Sequence, residues 1–110
     1  FIDSTHVLKI GSDVQYLFLE ILPRLKKGVI IHVHDIFFPE EYPKEWVLKE
    51  KRFWTEQYLL QTFLAFNDTF EVIFAGRFLQ IKYPGFIKNI ADFYKGDLQK
   101  AGSFWFKKVK

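Results

Sequence analysis

The chain contains no cysteine, which excludes disulfides, thiol catalysis and cysteine-based zinc sites. That composition fits a reducing compartment, and a cytoplasmic location is expected. Methionine is absent too, and the chain opens with Phe1-Ile2-Asp3 in what reads as the middle of a strand. Residues 1–110 are therefore read as a single-domain fragment of a longer protein. No apolar run approaches the roughly 20 residues that a membrane-spanning helix needs. No signal-peptide pattern is present, so no membrane partner is expected. Internal repeats and low-complexity tracts are also missing. The excess of one charge is small, +3, and part of it sits in Lys107, Lys108 and Lys110. That cluster reads as a solvated end rather than a nucleic-acid arm, and no nucleic-acid partner is expected.

What is abundant is apolar surface. Hydrophobic residues make up 49% and aromatics 20% of the chain, which excludes a disordered polymer. The most informative stretch is GVIIHVHDIFF, residues 28–38. Val29, Ile30, Ile31 and Val33 are β-branched and suit a strand. The run does not alternate strictly between apolar and polar, as expected of a strand covered on both faces. It ends in His34-Asp35, and ligands of open α/β sheets bind beyond the carboxyl ends of strands. A second strand end of the same kind is Ile2-Asp3-Ser4-Thr5-His6.

Between these two ends, Ser12 or Asp13 can cap a helix. Val14, Leu17, Phe18, Ile21, Leu22 and Leu25 then recur at helical spacing. Pro23 predicts a kink or restart near Leu22, and Gly28 a termination. Strand, helix, strand over this length predicts a βαβ unit with parallel pairing. Further on, residues 38–44 (FPEEYPK) read as an ordered loop over the strand ends. One helix is expected over residues 45–66, its apolar second half buried. Asn67-Asp68 is a stop signal. Residues 70–78 predict a strand that can run on to Ile81, residues 86–94 a short helix, and residues 103–109 a final strand antiparallel to residues 70–78 at a sheet edge.

Four pieces in order resemble the C-terminal half of a class I S-adenosylmethionine-dependent methyltransferase of the small-molecule O-methyltransferase type. They are IDSTH (residues 2–6), LPRLKKG (residues 22–28), the HD strand end (residues 34–35) and GSFW (residues 102–105). The family often shows "IDGDH", "LPLLKPGG", "HD" or "DD", and "GSxW" at these places; Lys27 stands where a proline is common. The resemblance implies a Rossmann-like, mostly parallel sheet with a reversed last strand inserted near one edge. Residues 1–3 would be its fourth strand, 28–35 its fifth, 70–78 its sixth and 103–109 its seventh. The glycine-rich loop and the ribose-holding acidic residue of the family are not in this sequence and would precede Phe1. S-adenosylmethionine would thus be bound with that N-terminal half, Asp3 and Ser4 being this chain's cofactor-side residues. The acceptor would be a small molecule or sugar, and a homo-oligomer is an open expectation.

Two carboxylates and an imidazole at adjacent strand ends, Asp3, His34 and Asp35, form a candidate site for Mg2+ or another divalent ion. In the metal-dependent members of the family, acidic residues at these positions bind magnesium, and the ion would acidify a substrate hydroxyl. Capping of loops by the same carboxylates is the competing reading. His6 is a candidate general base and His34 a second candidate catalytic group. His32 is expected to be a packed, hydrogen-bonded histidine on the same side as His34. Tyr42, Trp46, Arg52, Phe53 and Trp54 would form either a substrate lid or an aromatic contact surface. Two other functions stay open: a metal-dependent hydrolase using the HxHD strand end, and a non-catalytic interaction domain of the same architecture.

Overall fold

A computed structural model describes residues 1–90 and 100–110. Its centre is a three-stranded antiparallel sheet in the order β1-β3-β2, with β1 at Ile30–Val33, β2 at Phe70–Ala75 and β3 at Phe104–Lys108. The last strand in sequence lies in the middle and runs opposite to both neighbours. Ile31 faces Phe106 and Val33 faces Phe104 on one side, while Val72 also faces Phe106 on the other. A register shift between Val72 and Phe74 bends β2. The protein is thus a small α/β fold, and the expected antiparallel pairing of residues 70–78 with 103–109 is present in its core.

The Rossmann-like parallel βαβ unit is not formed as a ladder. Residues 1–3 contribute one parallel bridge, Ile2 to Val33, in which Ile2 N–H donates to His32 O at 2.8 Å and His34 N–H to Ile2 O at 2.9 Å. Pairing stops there because the chain turns away. Ser4 Oγ accepts from His6 N–H at 2.9 Å, and His6 adopts φ 59°, a left-handed conformation incompatible with a continuing strand. Nor is β1 covered on both faces. Ile31 and Val33 are buried, but Ile30 is 53% exposed.

The first helix follows its sequence signals closely. Ser12 is the N-cap of α1 (Asp13–Tyr16), its Oγ accepting from Gln15 N–H at 3.1 Å. The helix widens into a π-turn at Leu17–Ile21 and restarts as α2 at Leu22–Arg24. Pro23 explains the widening. It has no N–H to offer the carbonyl of Leu19, and its ring would crowd that carbonyl in a regular α-turn. The wider turn, closed by Leu22 N–H to Leu17 O, relieves the clash. Val14, Phe18 and Leu22 from this helix are buried against Ile31, Val33, Phe104 and Phe106 of the sheet.

The helix expected over residues 45–66 is two helices, α3 (Lys44–Leu48) and α4 (Glu56–Leu64). Between them Lys51 has φ 57°. Arg52 folds back, its N–H on Trp46 O at 2.9 Å and its guanidinium over the rings of Trp46 and Trp54, 4.5 and 5.2 Å from their centroids. These cation–π contacts replace helical bonds over the interruption. Only one side of α4 is buried, through Glu56, Gln57 and Leu60. Asn67 closes it, donating to Phe63 O while accepting from Thr69 N–H.

β2 ends at Ala75, where helix α5 (Gly76–Lys82) begins in place of a longer strand. Gly76 N–H bonds Ser103 O at 2.8 Å, and a Cβ at Gly76 would lie 3.0 Å from that oxygen. The close approach turns the chain off the sheet. Helix α6 spans Pro84–Ile90; the remainder of the short helix expected over 86–94 lies outside the described residues. The lysine-rich end is anchored: Lys108 Nζ donates to Pro23 O at 2.7 Å, and Lys110 pairs with Asp68. Among the described residues no helix is long and apolar enough to cross a membrane.

Candidate functional site

The single parallel bridge between Ile2 and Val33 sets the site. It brings the residues after both strand segments to one rim: Asp3 and His6 on one side, His34 and Asp35 on the other. His6 Nε2 lies 3.4 Å from Asp3 Oδ1 and 3.9 Å from Asp35 Oδ2. His34 Nδ1 lies 3.3 Å from Asp35 Oδ1 and 3.8 Å from Asp3 Oδ1. The four side chains alternate between acid and base around a common space. Asp3 and His34 are half open to solvent, whereas His6 is nearly closed off.

Both His6 and Asp35 occupy left-handed backbone, each with φ 59°. Asparagine, aspartate and histidine enter this region more readily than other side chains. Such positions cluster at functional sites. At Asp35 the chain turns off β1, and Ile36 N–H reaches Gly102 O at 3.0 Å. Gly102 packs so tightly beneath that a Cβ there would sit 3.1 Å from Asp35 Cα and 3.1 Å from Phe37 Cε1. The glycine of the GSFW motif therefore makes room for the site's aspartate.

His6 is held from the far side by α4. Its Nδ1 is 2.7 Å from Oε2 of Glu56, which is fully buried. Its carbonyl accepts from the N–H groups of Thr55 and Glu56 at 2.8 and 3.1 Å, so the helix start grips both main chain and ring. Trp54 stacks on the imidazole at 4.0 Å between centroids. Burial pulls the His6 pKa down, but the hydrogen bond to Glu56 and the charges of Glu56, Asp35 and Asp3 outweigh it, and the net shift is upward. Glu56 was not legible as a site residue, because it stands 50 residues from His6 in an unremarkable EQ pair.

The neighbouring loop is built as a scaffold. Gln57 accepts from Phe37 N–H through Oε1 and donates through Nε2 to Glu40 O, while its own N–H donates to the Tyr42 hydroxyl. Tyr42 is buried, which pushes its pKa up. Its ring meets Phe37 and Trp54 edge-on. Of the five residues proposed as lid or contact surface, Tyr42, Trp46 and Trp54 thus join one aromatic cluster beside His6. Arg52 caps this cluster and pairs with Glu50 at 2.6 Å, and Phe53 is exposed.

His32 is packed and hydrogen-bonded, as expected. It stacks flat on Trp105 at 4.3 Å, with Nε2 2.8 Å from Ser103 Oγ. Burial, and next the neighbouring His34, lower its pKa. Ser4 Oγ, accepting from His6 N–H, shapes the turn that presents His6. Among the described residues no group of three or more His, Asp and Glu side chains is arranged to hold a metal ion, so the arrangement lends no support to a divalent ion at Asp3, His34 and Asp35. What the cluster can do without one is move a proton: a buried imidazole, backed by one carboxylate, faces two more across the rim. No family model matches the chain, and no curated protein and no solved structure matches it either.

Proposed function

We propose that this chain is the acceptor-side part of an S-adenosylmethionine-dependent methyltransferase acting on a hydroxyl of a small molecule or sugar, with His6 as general base. The observation that carries the reading is the position of His6 Nε2, within 4 Å of both Asp3 and Asp35 at a rim made by two parallel-running segments. The segment order adds support. The bridge at Ile2, β1, the reversed β3 and then β2 stand in the sequence that the resemblance assigns to a fourth, fifth, seventh and sixth strand.

The sulfonium cofactor would supply an electrophilic methyl group. Asp3 and Ser4 are this chain's residues on that side, and the half-open Asp3 carboxylate retains acceptor capacity for a ligand N–H or O–H. The acceptor hydroxyl would give its proton to His6 Nε2 as its oxygen bonds to the methyl carbon. The methyl would leave its bonding electron pair on the sulfonium sulfur, so the proton of the hydroxyl is the charge this chain's residues would have to take up. Asp3 and Asp35 stabilise the imidazolium so formed. His34, half exposed beside both, would pass the proton to water. Holding the two reactants in line would supply much of the acceleration; the base contributes a further factor of about 100 to 10,000.

The test uses the intact protein. Saturable binding of S-adenosylmethionine by calorimetry is expected first. Transfer of labelled methyl to a panel of small hydroxylated acceptors is expected next, and His6→Asn, which tolerates the same left-handed backbone, should cut turnover by about 100-fold or more with cofactor affinity unchanged. Failure of the intact protein to bind the cofactor would end this reading.

A further inference from the structure

We infer that Glu56 is the positioning residue for His6: its buried carboxylate fixes the imidazole as the Nδ1–H tautomer, leaving the Nε2 lone pair aimed at the rim between Asp3 and Asp35. What that lone pair is used for rests on the methyl-transfer reading; the tautomer does not.

Three contacts compete for the two ring nitrogens. Glu56 Oε2 is 2.7 Å from Nδ1, whereas Asp3 Oδ1 and Asp35 Oδ2 are 3.4 and 3.9 Å from Nε2. Only the first lies in the range of a charge-assisted hydrogen bond. A carboxylate has lone pairs and no proton to give, so the proton belongs on Nδ1. The neutral ring then keeps an unshared pair on Nε2, which a base requires. With the opposite tautomer, Nε2–H would point at Asp3 and the ring could accept nothing from a substrate.

The Glu56 carboxylate is committed to this task. It is fully buried, and among the described residues its second oxygen, Oε1, has no hydrogen-bond partner. Compensation for burying the charge therefore depends on His6. Its backbone is bound to the same residue, since Glu56 and Thr55 both donate to His6 O. Trp54, stacked on the ring face, blocks the half-turn of the imidazole that would exchange Nδ1 for carbon. A third group that orients the base is the general logic of activated acid–base sites. Here it comes from a helix 50 residues away in sequence.

Nitrogen-15 NMR of the intact protein labelled at histidine tests the inference without substrate or cofactor. The chain's other histidines are His32 and His34, and His6→Asn assigns the His6 signals by their loss. The expected spectrum above the His6 pKa shows Nδ1 protonated and Nε2 bare. In Glu56→Gln the carboxamide can either accept or donate, so both tautomers should become populated and the His6 pKa should fall. The alkaline-rising limb of the pH–rate profile should move to lower pH with it, while affinity for S-adenosylmethionine stays constant. Asp3→Asn should leave the tautomer alone. An Nε2–H tautomer in the unsubstituted protein overturns the inference, as does an unchanged tautomer and pKa in folded Glu56→Gln. The unsubstituted spectrum decides even where the variant does not fold. An Nδ1–H ring in a protein that binds no S-adenosylmethionine would uphold the positioning role and refute the methyl-transfer reading alone.

Discussion

At the scale of single residues, the candidate site is an island of charge set against an apolar core, and its pH response follows from that. His6 has a pKa raised in the folded state because Glu56, Asp35 and Asp3 together outweigh its burial. A histidine raised on folding binds its proton more tightly in the native state. Its contribution to stability is fully present below the unfolded value near 6.5 and is lost as pH rises through the folded value. His32 works in the opposite sense. Burial lowers its pKa, so its contribution is present above the unfolded value and is lost as pH falls through the folded value. Urea midpoints measured across pH 5 to 9 should therefore decline on the alkaline side in a way that His6→Asn abolishes. They should decline on the acid side in a way that His32→Gln flattens. An alkaline decline that persists in His6→Asn would show that another group carries it. The neighbouring Asp35 depends on a residue with no side chain. Gly102→Ala places a methyl 3.1 Å from Asp35 Cα and against the Phe37 ring. Overpacking of this kind costs about 1–3 kcal/mol, so the variant should unfold at lower urea and also perturb the Asp35 backbone amide shift. An unshifted Asp35 signal would mean that the ring of Phe37 alone gives way.

Secondary-structure elements were legible where one face alone decides them. The first helix has its cap at Ser12, its apolar stripe at Val14, Phe18 and Leu22, and its disturbance at Pro23, all of them local signals. The form of that disturbance, a π-turn, was not readable, because a kink and a restart satisfy a proline equally well in sequence. In sequence, residues 45–66 look like one helix because their breaking point contains neither glycine nor proline. What breaks it is tertiary: Arg52 over Trp46 and Trp54, and α4 starting where His6 can bind its first N–H groups. The turn from β2 into α5 at Gly76 depends likewise on Ser103, far along the chain. Of the candidate site, Asp3, His6, His34 and Asp35 were visible as strand ends, whereas Glu56 became visible only through its distance to His6. The cap offers a clean local test. Ser12 Oγ accepts from both Gln15 N–H and Lys9 N–H, so Ser12→Ala removes a helix cap and a turn bond together. A loss of about 1 kcal/mol is expected, read as a lower urea midpoint with an unchanged slope. A loss well below half of that would mean water replaces the hydroxyl.

For the whole molecule, the decisive feature is that the central strand follows both of its neighbours in the sequence. β3 joins β1 to β2, strands that are not hydrogen-bonded to each other, and its inward side chains Phe104 and Phe106 meet the first helix, α4 and both neighbouring strands through one apolar cluster. Phe106 has no exposed surface, and its ring lies 5.7 Å from Phe70 and 6.2 Å from Phe104. The candidate site inherits this dependence: Asp35 rests on Gly102, and Ile36 N–H on the Gly102 carbonyl, both on the approach to β3. Removing a buried phenylalanine side chain costs about 3–5 kcal/mol, against a total stability that for domains is typically about 5–15 kcal/mol. Phe106→Ala should therefore remove a large share of the stability and strongly lower the unfolding temperature. Strand and site signals should be lost together rather than in sequence, because one residue supports both. Tyr58→Ala on the exposed side of α4, where among the described residues the hydroxyl bonds Glu41 at the surface and the ring meets Tyr42 edge-on, should cost about 1 kcal/mol. Thermal unfolding followed in parallel by far-ultraviolet circular dichroism and by the His6 ring signals makes the comparison. Coincident transitions, strongly lowered in Phe106→Ala and little changed in Tyr58→Ala, are the outcome this architecture requires, whereas a His6 signal that survives loss of the sheet would separate the site from β3.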